Sequence, residues 1–142
     1  MELRTHPSID RRLCGEPLEL GPGTARVAFT GLPEMAADDR GLVHGGFVFG
    51  LADYAAMLAV NHPHVVLAGA EVRFLKPVAV GERLVAEARV DPADNPDGRR
   101  SRVRVEVLRD GRDGEAVMTG DFRCVTLDRH VFEASAPRTE RS

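Results

Sequence analysis

Several residue types that mark particular classes of protein are scarce in this chain. Its 142 residues include no tryptophan, one tyrosine, one lysine and two cysteines, Cys14 and Cys124. Because the two cysteines have neither CxxC nor metal-ligand spacing, we expect two reduced thiols rather than a disulfide framework. The net charge of −3 provides no basic field for nucleic acid or an anionic membrane, and we expect neither partner.

Long hydrophobic runs are also missing. No uninterrupted apolar stretch reaches the roughly 18–20 residues that a membrane span needs. The N-terminal sequence MELRTHPSID has no apolar core of signal-peptide length. These absences favour a cytoplasmic protein.

The length and a hydrophobic content of 43% suffice for one domain with a sizeable core. We expect a single domain over residues 1–142. Its core should lie at about residues 15–128, and the polar tail at 134–142 should be flexible.

Turn residues and apolar periodicity divide the chain into one long helix and a series of strands. The helix should end near Asn61-His62-Pro63, since proline cannot continue it. The other expected elements are a helical turn at 7–13, a hairpin of Gly15–Leu20 and Thr24–Thr30 around Gly21-Pro22-Gly23, a loop at Leu32–Leu42, strands at Val65–Val78 and Arg83–Val90, a loop at Asp91–Gly98, and a hairpin of Arg100–Arg109 and Ala116–Leu127.

This order predicts an α+β fold in which a curved antiparallel sheet wraps around one long central helix. The strands after the helix should form a long meander, with a turn at Val78–Gly81 leading into Arg83–Val90. The helix is too apolar for one sheet to cover, so part of it should meet a second copy. We therefore expect a homodimer.

The central helix contains one conspicuous polar residue. From Gly45 to Asn61 the sequence reads GGFVFGLADYAAMLAVN, and Asp53 is its only charged residue. A helix that is apolar on every side is buried, and a carboxylate there is unfavourable unless it is paired or used. The helix also starts at His44-Gly45-Gly46, where free backbone N–H groups can face an incoming oxygen.

These motifs carry a family resemblance. The run GLVHGG from Gly41, followed by GLAD ending at Asp53, resembles the signature of hotdog-fold acyl-CoA thioesterases, most closely the phenylacetate-degradation-type (PaaI-like) branch. The later VRFLKPV, at Val72–Val78, and GERL, at Gly81–Leu84, are similar to the strand and turn that follow the helix in that family. The likeness covers roughly residues 41–127.

The resemblance implies a hotdog fold and a homodimer or dimer of dimers with active sites between protomers. It also implies metal-free hydrolysis of acyl-CoA thioesters with no cofactor, since coenzyme A belongs to the substrate. Carried onto this chain, Asp53 is the general base or nucleophile, and the Gly45 N–H polarises the thioester carbonyl. His44 is then the family's turn histidine, more structural than catalytic.

Six residues are candidates for contacts to the substrate: His44, Gly46, Phe47, Phe49, Arg73 and Lys76. The two phenylalanines can line an acyl slot, although core or interface packing is the commoner use of such residues. The two cations are candidate contacts to the phosphates of coenzyme A. Asp38, Asp39 and Leu67 stand where some relatives carry a water-orienting Asn and a Ser or Thr, so this chain departs from the family there.

Two other groups of polar residues have ordinary interpretations. Arg100, Arg102 and Arg104 share one strand face, which is more typical of a solvated face or an oligomer contact than of a binding patch. His62 and His64 lack neighbouring carboxylates or cysteines, so we expect no metal site.

The spacing of the two catalytic candidates predicts a composite site. Gly45 and Asp53 are eight residues apart, about 12 Å along one helix, too far for both to reach one carbonyl group. If two helices run antiparallel across a two-fold axis, Gly45 of one protomer lies beside Asp53 of the other, and Phe49 lies nearest the axis. The sequence does not choose between a general base and a nucleophile, nor does it identify the acyl group.

Three alternatives use the same residues differently. The chain could be a non-catalytic acyl-CoA-binding module on the same scaffold, although no DNA-reading segment is visible. A hotdog dehydratase would need an Asp-x-Asn-x-x-His arrangement, which the sequence lacks. A purely structural protein would use Asp53 only as a dimer contact.

Overall fold

The computed structural model describes residues 1–92, 98–110 and 114–134. Within these ranges the helices are α1 (Arg11–Cys14), α2 (Gly45–Val60) and α3 (Val131–Ala134), and the strands are β1 (Glu16–Gly21), β2 (Thr24–Thr30), β3 (Val65–Phe74), β4 (Arg83–Val90), β5 (Arg100–Arg109) and β6 (Glu115–Thr126). None of the helices in the described part of the chain is long and apolar enough to cross a membrane. The expected tail beyond residue 134 and parts of the loops at 91–98 and 110–114 lie outside the described residues.

The strands form one antiparallel sheet in the order β1-β2-β4-β5-β6-β3, curved around α2. This is the predicted α+β hotdog architecture. The predicted hairpin of β1 and β2 is confirmed, with Gly21 opposite Thr24 across the turn. Gly23 has a φ of 73°, a left-handed conformation that glycine adopts without strain.

The predicted meander is wrong at its first strand. β3 pairs with β6 at the edge of the sheet, whereas β4 pairs with β2 and β5. The strand also ends at Phe74 rather than Val78, because Pro77 has no N–H for a ladder and the following backbone bonds the loop before α2. The Val43 N–H donates to the Val78 carbonyl (2.8 Å), and the Val80 N–H to that of Gly41 (2.8 Å). The segment is therefore a crossover rather than a hairpin.

Helix α2 is buried over most of its circumference. Nine of its 16 residues are buried, so few of its apolar side chains remain in contact with solvent. Against the sheet, α2 packs mainly on β2, β4 and β5. A narrow stripe, which we call the open stripe, stays at least partly exposed at Gly46, Phe49, Gly50 and Asp53, positions that share one helix face. The sheet alone leaves this stripe uncovered, as the apolar sequence predicts.

The N-terminal residues 1–15, which we call the strap, lie along another side of α2. At the C-terminal end of α2, the left-handed Asn61 (φ 52°) bonds the strap through both side-chain atoms. Its Oδ1 accepts from the Arg4 N–H (2.7 Å), and its Nδ2 donates to the Glu2 carbonyl (2.8 Å). At the other end the strap passes under α2 at Gly15, which is buried.

Candidate active site

Asp53 lies on the open stripe with a partly buried side chain. Its Oδ1 is inaccessible to solvent and has no hydrogen-bond partner among the described residues. Burial raises the pKa of this carboxyl to about 6, because removing a charge from water favours the neutral acid. A carboxyl with a pKa near neutrality exchanges protons readily at physiological pH, which suits a general base.

Two thiols lie close enough to Asp53 to respond to its charge. The Cys124 thiol of β6 is buried, and burial together with the Asp53 charge raises its pKa to about 12. The pKa of Cys14, at the end of α1, is raised by burial and by the charges of Asp10 and Asp53. Both thiols therefore stay mainly protonated at neutral pH, and neither is activated as a nucleophile for catalysis.

The start of α2 presents one free backbone donor. His44 is the N-cap, and its Nδ1 accepts a hydrogen bond from the Gly46 N–H (2.8 Å). The Phe47 N–H bonds the His44 carbonyl. The Gly45 N–H has no acceptor among the described residues. It is therefore the donor available to a substrate oxygen, whereas the N–H of Gly46 is already used.

A cleft of about 290 Å³ opens beside this donor. Gly45 and Val48 form one side, and the residues from Phe74 to Val78, including Lys76, form the other. A Cβ built at Gly45 would lie 3.4 Å from the Phe74 ring, so the ring stands against the glycine backbone. Lys76 is exposed at this cleft, where its ammonium can meet an anion at the entrance.

The cleft does not contain Asp53. Within one chain, the free donor at Gly45 and the buried carboxylate remain separate along the helix, as their eight-residue spacing predicts. A reaction that uses both groups on one carbonyl therefore needs a second copy of the chain.

The other predicted contact residues are distributed over two faces. The ring centroid of Phe47 lies 6.3 Å from that of His44 in an edge-to-face arrangement, and that of Phe49 lies 5.5 Å from that of Phe122. Arg73 lies between Val72, which packs against the core, and Phe74, which lines the cleft. Since successive strand residues point to opposite faces, Arg73 points to the outer face of the sheet, away from the cleft.

Polar residues elsewhere form local structural contacts. Asp38 Oδ1 accepts from the N–H groups of Arg40 (2.9 Å) and Leu42 (3.1 Å), which holds the loop before His44. On the outer sheet face, Arg102 and Arg104 both form ion pairs with Asp121. The charges of Asp38, Arg102, Arg104 and Asp121 are therefore explained by contacts within the chain, and none of them needs a bound ligand.

The histidine pair lies in a turn and has no cluster of further metal ligands around it within the described residues. His62 Nδ1 accepts from the His64 N–H (3.0 Å), so this nitrogen is already used in a turn. Among the described residues no group of three or more His, Cys, Asp or Glu side chains could hold a metal ion.

Two features of the site were not predicted from the sequence. The first is the cleft wall at Phe74 and Leu75, where the sequence shows two apolar residues directly before Lys76-Pro77. Their 55% and 48% exposure, however, depends on the edge position of β3. The second is the approach of Cys14 to Asp53. It depends on the path of the strap, which no pattern in the sequence predicts.

Comparison with curated proteins places similar sequences in longer chains. The chain is 49% identical over 127 residues to a methylthioribose-1-phosphate isomerase of Aquifex aeolicus, covering 89% of this chain and 26% of that protein. It is 36% identical over 90 residues to the transcription factor FapR of Shouchella clausii, covering 63% of this chain and 44% of FapR. The chain therefore spans about a quarter of the length of the isomerase and less than half of the length of FapR.

Several solved structures resemble this chain over almost their whole length, unlike the longer curated relatives. The uncharacterized protein PH1136 from Pyrococcus horikoshii is 49% identical with a TM-score of 0.86, over 93% of this chain and 97% of that one. A point variant of the phenylacetic acid degradation protein PaaI from Thermus thermophilus is 31% identical with a TM-score of 0.70, over 81% and 95%. The model of the thioesterase superfamily matches residues 40–116, which include α2 and every residue of the cleft except Val117. The chain therefore belongs to the thioesterase superfamily, in its hotdog-fold, PaaI-like branch.

Proposed function

We propose that this protein is an acyl-CoA thioesterase that hydrolyses the thioester to a free acid and coenzyme A at sites shared by two protomers. The observation that carries the proposal is Asp53, a partly buried carboxylate whose inaccessible Oδ1 has no partner among the described residues and whose pKa is raised to about 6. Structural carboxylates are normally paired, so an unpaired one on the open stripe is best explained by a reacting ligand.

The proposed reaction divides the chemistry between two helices. The Gly45 N–H of one protomer donates to the thioester oxygen, and Asp53 of its partner takes a proton from water as the water attacks the carbonyl carbon. The tetrahedral intermediate then expels the thiolate of coenzyme A, which takes up a proton. A direct attack by Asp53 would instead form a mixed anhydride that water cleaves.

The cleft beside Gly45 offers a path for the coenzyme A portion. Its wall at Phe74 and Leu75 is apolar, and Lys76 at its edge can pair with a phosphate. A contact between Arg73 and the phosphates stays a prediction, because within one chain Arg73 faces away from this cleft. We expect no cofactor and no metal in the reaction.

The proposed homodimer explains two uncovered surfaces. β3 is an edge strand whose end exposes Phe74 and Leu75, and α2 has its open stripe. Both surfaces would be covered by a second copy related by a two-fold axis. A dimer of dimers and a cytoplasmic location, both expected from the sequence, stay predictions.

A panel of acyl-CoA substrates with free thiol as the readout tests the proposal. We expect turnover by the wild type and a loss of at least about 100-fold in kcat for Asp53→Asn, since the amide cannot act as a base or nucleophile. The matched control is Asp128→Asn, an exposed position after β6, which should retain activity. Thiol release that survives Asp53→Asn would contradict the proposed function.

One alternative is a non-catalytic protein that binds acyl-CoA. It is favoured by the likeness to FapR, whose name describes a transcription factor rather than an enzyme. The same panel separates the two functions when binding is measured in parallel by calorimetry. Saturable binding of acyl-CoA without thiol release, unchanged by Asp53→Asn, would support the binding module. Release that depends on Asp53 supports the enzyme.

A further inference from the structure

The strap is fixed at both ends against α2. Asn61 bonds Glu2 and Arg4 at one end. At the other, Gly15 has a φ of 117°, and a Cβ built there would lie 2.7 Å from Leu51 Cδ1. A larger residue at Gly15 would have to displace the helix side chain, so the path of the strap under α2 is specified by the sequence.

Between these ends the strap covers one side of α2. The ring centroid of His6 lies 6.0 Å from that of Tyr54, and Tyr54 is only 1% exposed. Leu3, Ile9 and Leu13 of the strap pack against the hydrophobic core. The strap is therefore a packed layer over the helix rather than a loose terminus.

The strap and β6 flank the open stripe from opposite sides. Consecutive helix residues are about 100° apart, so Tyr54, under the strap, is offset by that angle from Asp53. On the other side Phe49 packs on Phe122 of β6. The strap and β6 therefore border the open stripe, and we call the space above the stripe between these two walls the groove.

As a residue of the open stripe, Asp53 lies on the floor of the groove. Its charge acts on the Cys14 thiol, which ends α1 within the strap, and on the Cys124 thiol of β6. Cys14 is half-buried and packs against the core. Cys14 is therefore a strap residue whose thiol responds to the charge of the proposed catalytic carboxylate.

The floor of the groove has unfilled space at Gly50. A Cβ built there meets no heavy atom of the described residues within 4 Å. Glycine within a helix is less stable than alanine, and nothing in this part of the chain explains it by close packing. The space above Gly50 is next to Asp53 on the same face, where an acyl group would lie.

We propose that the strap is the specificity-determining wall of the acyl groove, with Cys14 facing the acyl group and Asn61 holding the strap in position. The proposal rests on the proposed function, since it places the acyl chain of the thioester beside Asp53. The strap then limits the length or width of the acyl group, and Asn61 acts as a positioning residue through the strap.

Releasing the strap should change the choice of acyl group. Asn61→Gly removes both side-chain bonds but tolerates the left-handed backbone at this position. We expect kcat/KM for a long-chain acyl-CoA, relative to butyryl-CoA, to rise by about fivefold or more. Arg129→Gly, at an exposed position outside the strap, α2 and the sheet, is the control and should leave the ratio unchanged. An unchanged ratio in a folded Asn61→Gly protein, checked by circular dichroism, would overturn the proposal.

Labelling of Cys14 provides a readout that needs no turnover. A small methanethiosulfonate reagent should modify Cys14, while Cys124, which is 1% exposed, serves as the internal control that stays unmodified. A non-hydrolysable thioether analogue of a long-chain acyl-CoA should slow the modification at least about tenfold, whereas coenzyme A alone should not.

The two experiments separate the two proposals. Protection of Cys14 without any hydrolysis would overturn the enzyme and support the strap as a wall in an acyl-CoA-binding protein. Hydrolysis that depends on Asp53, without protection of Cys14, would overturn the strap and support the enzyme. Equal protection of Cys14 by coenzyme A alone and by the analogue would mean that the acyl chain does not reach Cys14, which also contradicts the strap proposal.

Discussion

The carboxylate of Asp53 has its unusual pKa because of burial rather than because of a charged neighbour. Burial is the only cause of the upward shift, so the shift depends on the apolar side chains and the walls around the residue. The same desolvation that destabilises the charged form makes the carboxylate a stronger base. At this position, the unfavourable burial and the proposed chemistry have one origin.

This pKa predicts an acid limb in the pH profile. The carboxylate is the active form of a base or nucleophile, so kcat/KM should fall as pH decreases through about 6 and level off above 7. A panel of steady-state rates between about pH 4.5 and 8 measures this. A profile that is flat across pH 6 would contradict the assignment of Asp53.

The sequence is sufficient to propose Asp53 and Gly45 as site residues because both signals are local. One charge within an apolar helix and a His-Gly-Gly start can be read without knowing the fold. The sequence does not show that the Gly45 N–H is free and the Gly46 N–H is bonded, because this depends on which N–H donates to the His44 ring. The outward direction of Arg73 likewise depends on the pairing register of β3.

The N-terminus of α2 is an element whose chemistry depends on one backbone group. Gly45 is the first helical residue, and His44 before it has φ −62° and ψ 133°. These are the conditions under which proline is accepted at the start of a helix, since no intrahelical bond is lost there and the preceding residue is extended. A proline at this position therefore removes the donor while preserving the helix.

Gly45→Pro and Gly45→Ala should separate the donor from the shape of the turn. We expect Gly45→Pro to fold with little change in thermal stability and to lose about 100- to 1,000-fold in kcat, the usual effect of removing one donor to a developing oxyanion. Gly45→Ala keeps the N–H and brings its Cβ to ordinary contact with Phe74, so it should retain most of the activity. Equal losses in the two variants would mean that the Gly45 N–H is not the donor.

Among the elements, the ones fixed by local patterns are predicted best. The hairpin of β1 and β2 and the ends of α2 follow from turn residues and from Pro63. The position of β3 is missed because adjacency in sequence is only a tendency for strand pairing, and the bonds from Val78 and Val80 to the loop before α2 are long-range. The strap is missed for the same reason, since its path depends on Asn61, far along the chain.

For the whole molecule, the proposed reaction requires two chains. The free donor at Gly45 and the carboxylate of Asp53 lie about 12 Å apart along one helix, and the cleft at Gly45 does not include Asp53. In an antiparallel pair of α2 helices, the Gly45 N–H of each protomer lies beside Asp53 of the other, which gives two sites per dimer. In the proposed dimer, each site therefore takes its donor from one protomer and its base from the other.

The activity of mixed dimers shows whether the donor and the base of one site come from different protomers. Chains carrying Gly45→Pro and chains carrying Asp53→Asn, with different affinity tags, are co-expressed and the heterodimer is purified through both tags. One of its two sites then has an intact donor and an intact carboxylate, so thiol release should return to about half of the wild-type rate, although each homodimer is inactive. A heterodimer no more active than the two homodimers would contradict the account.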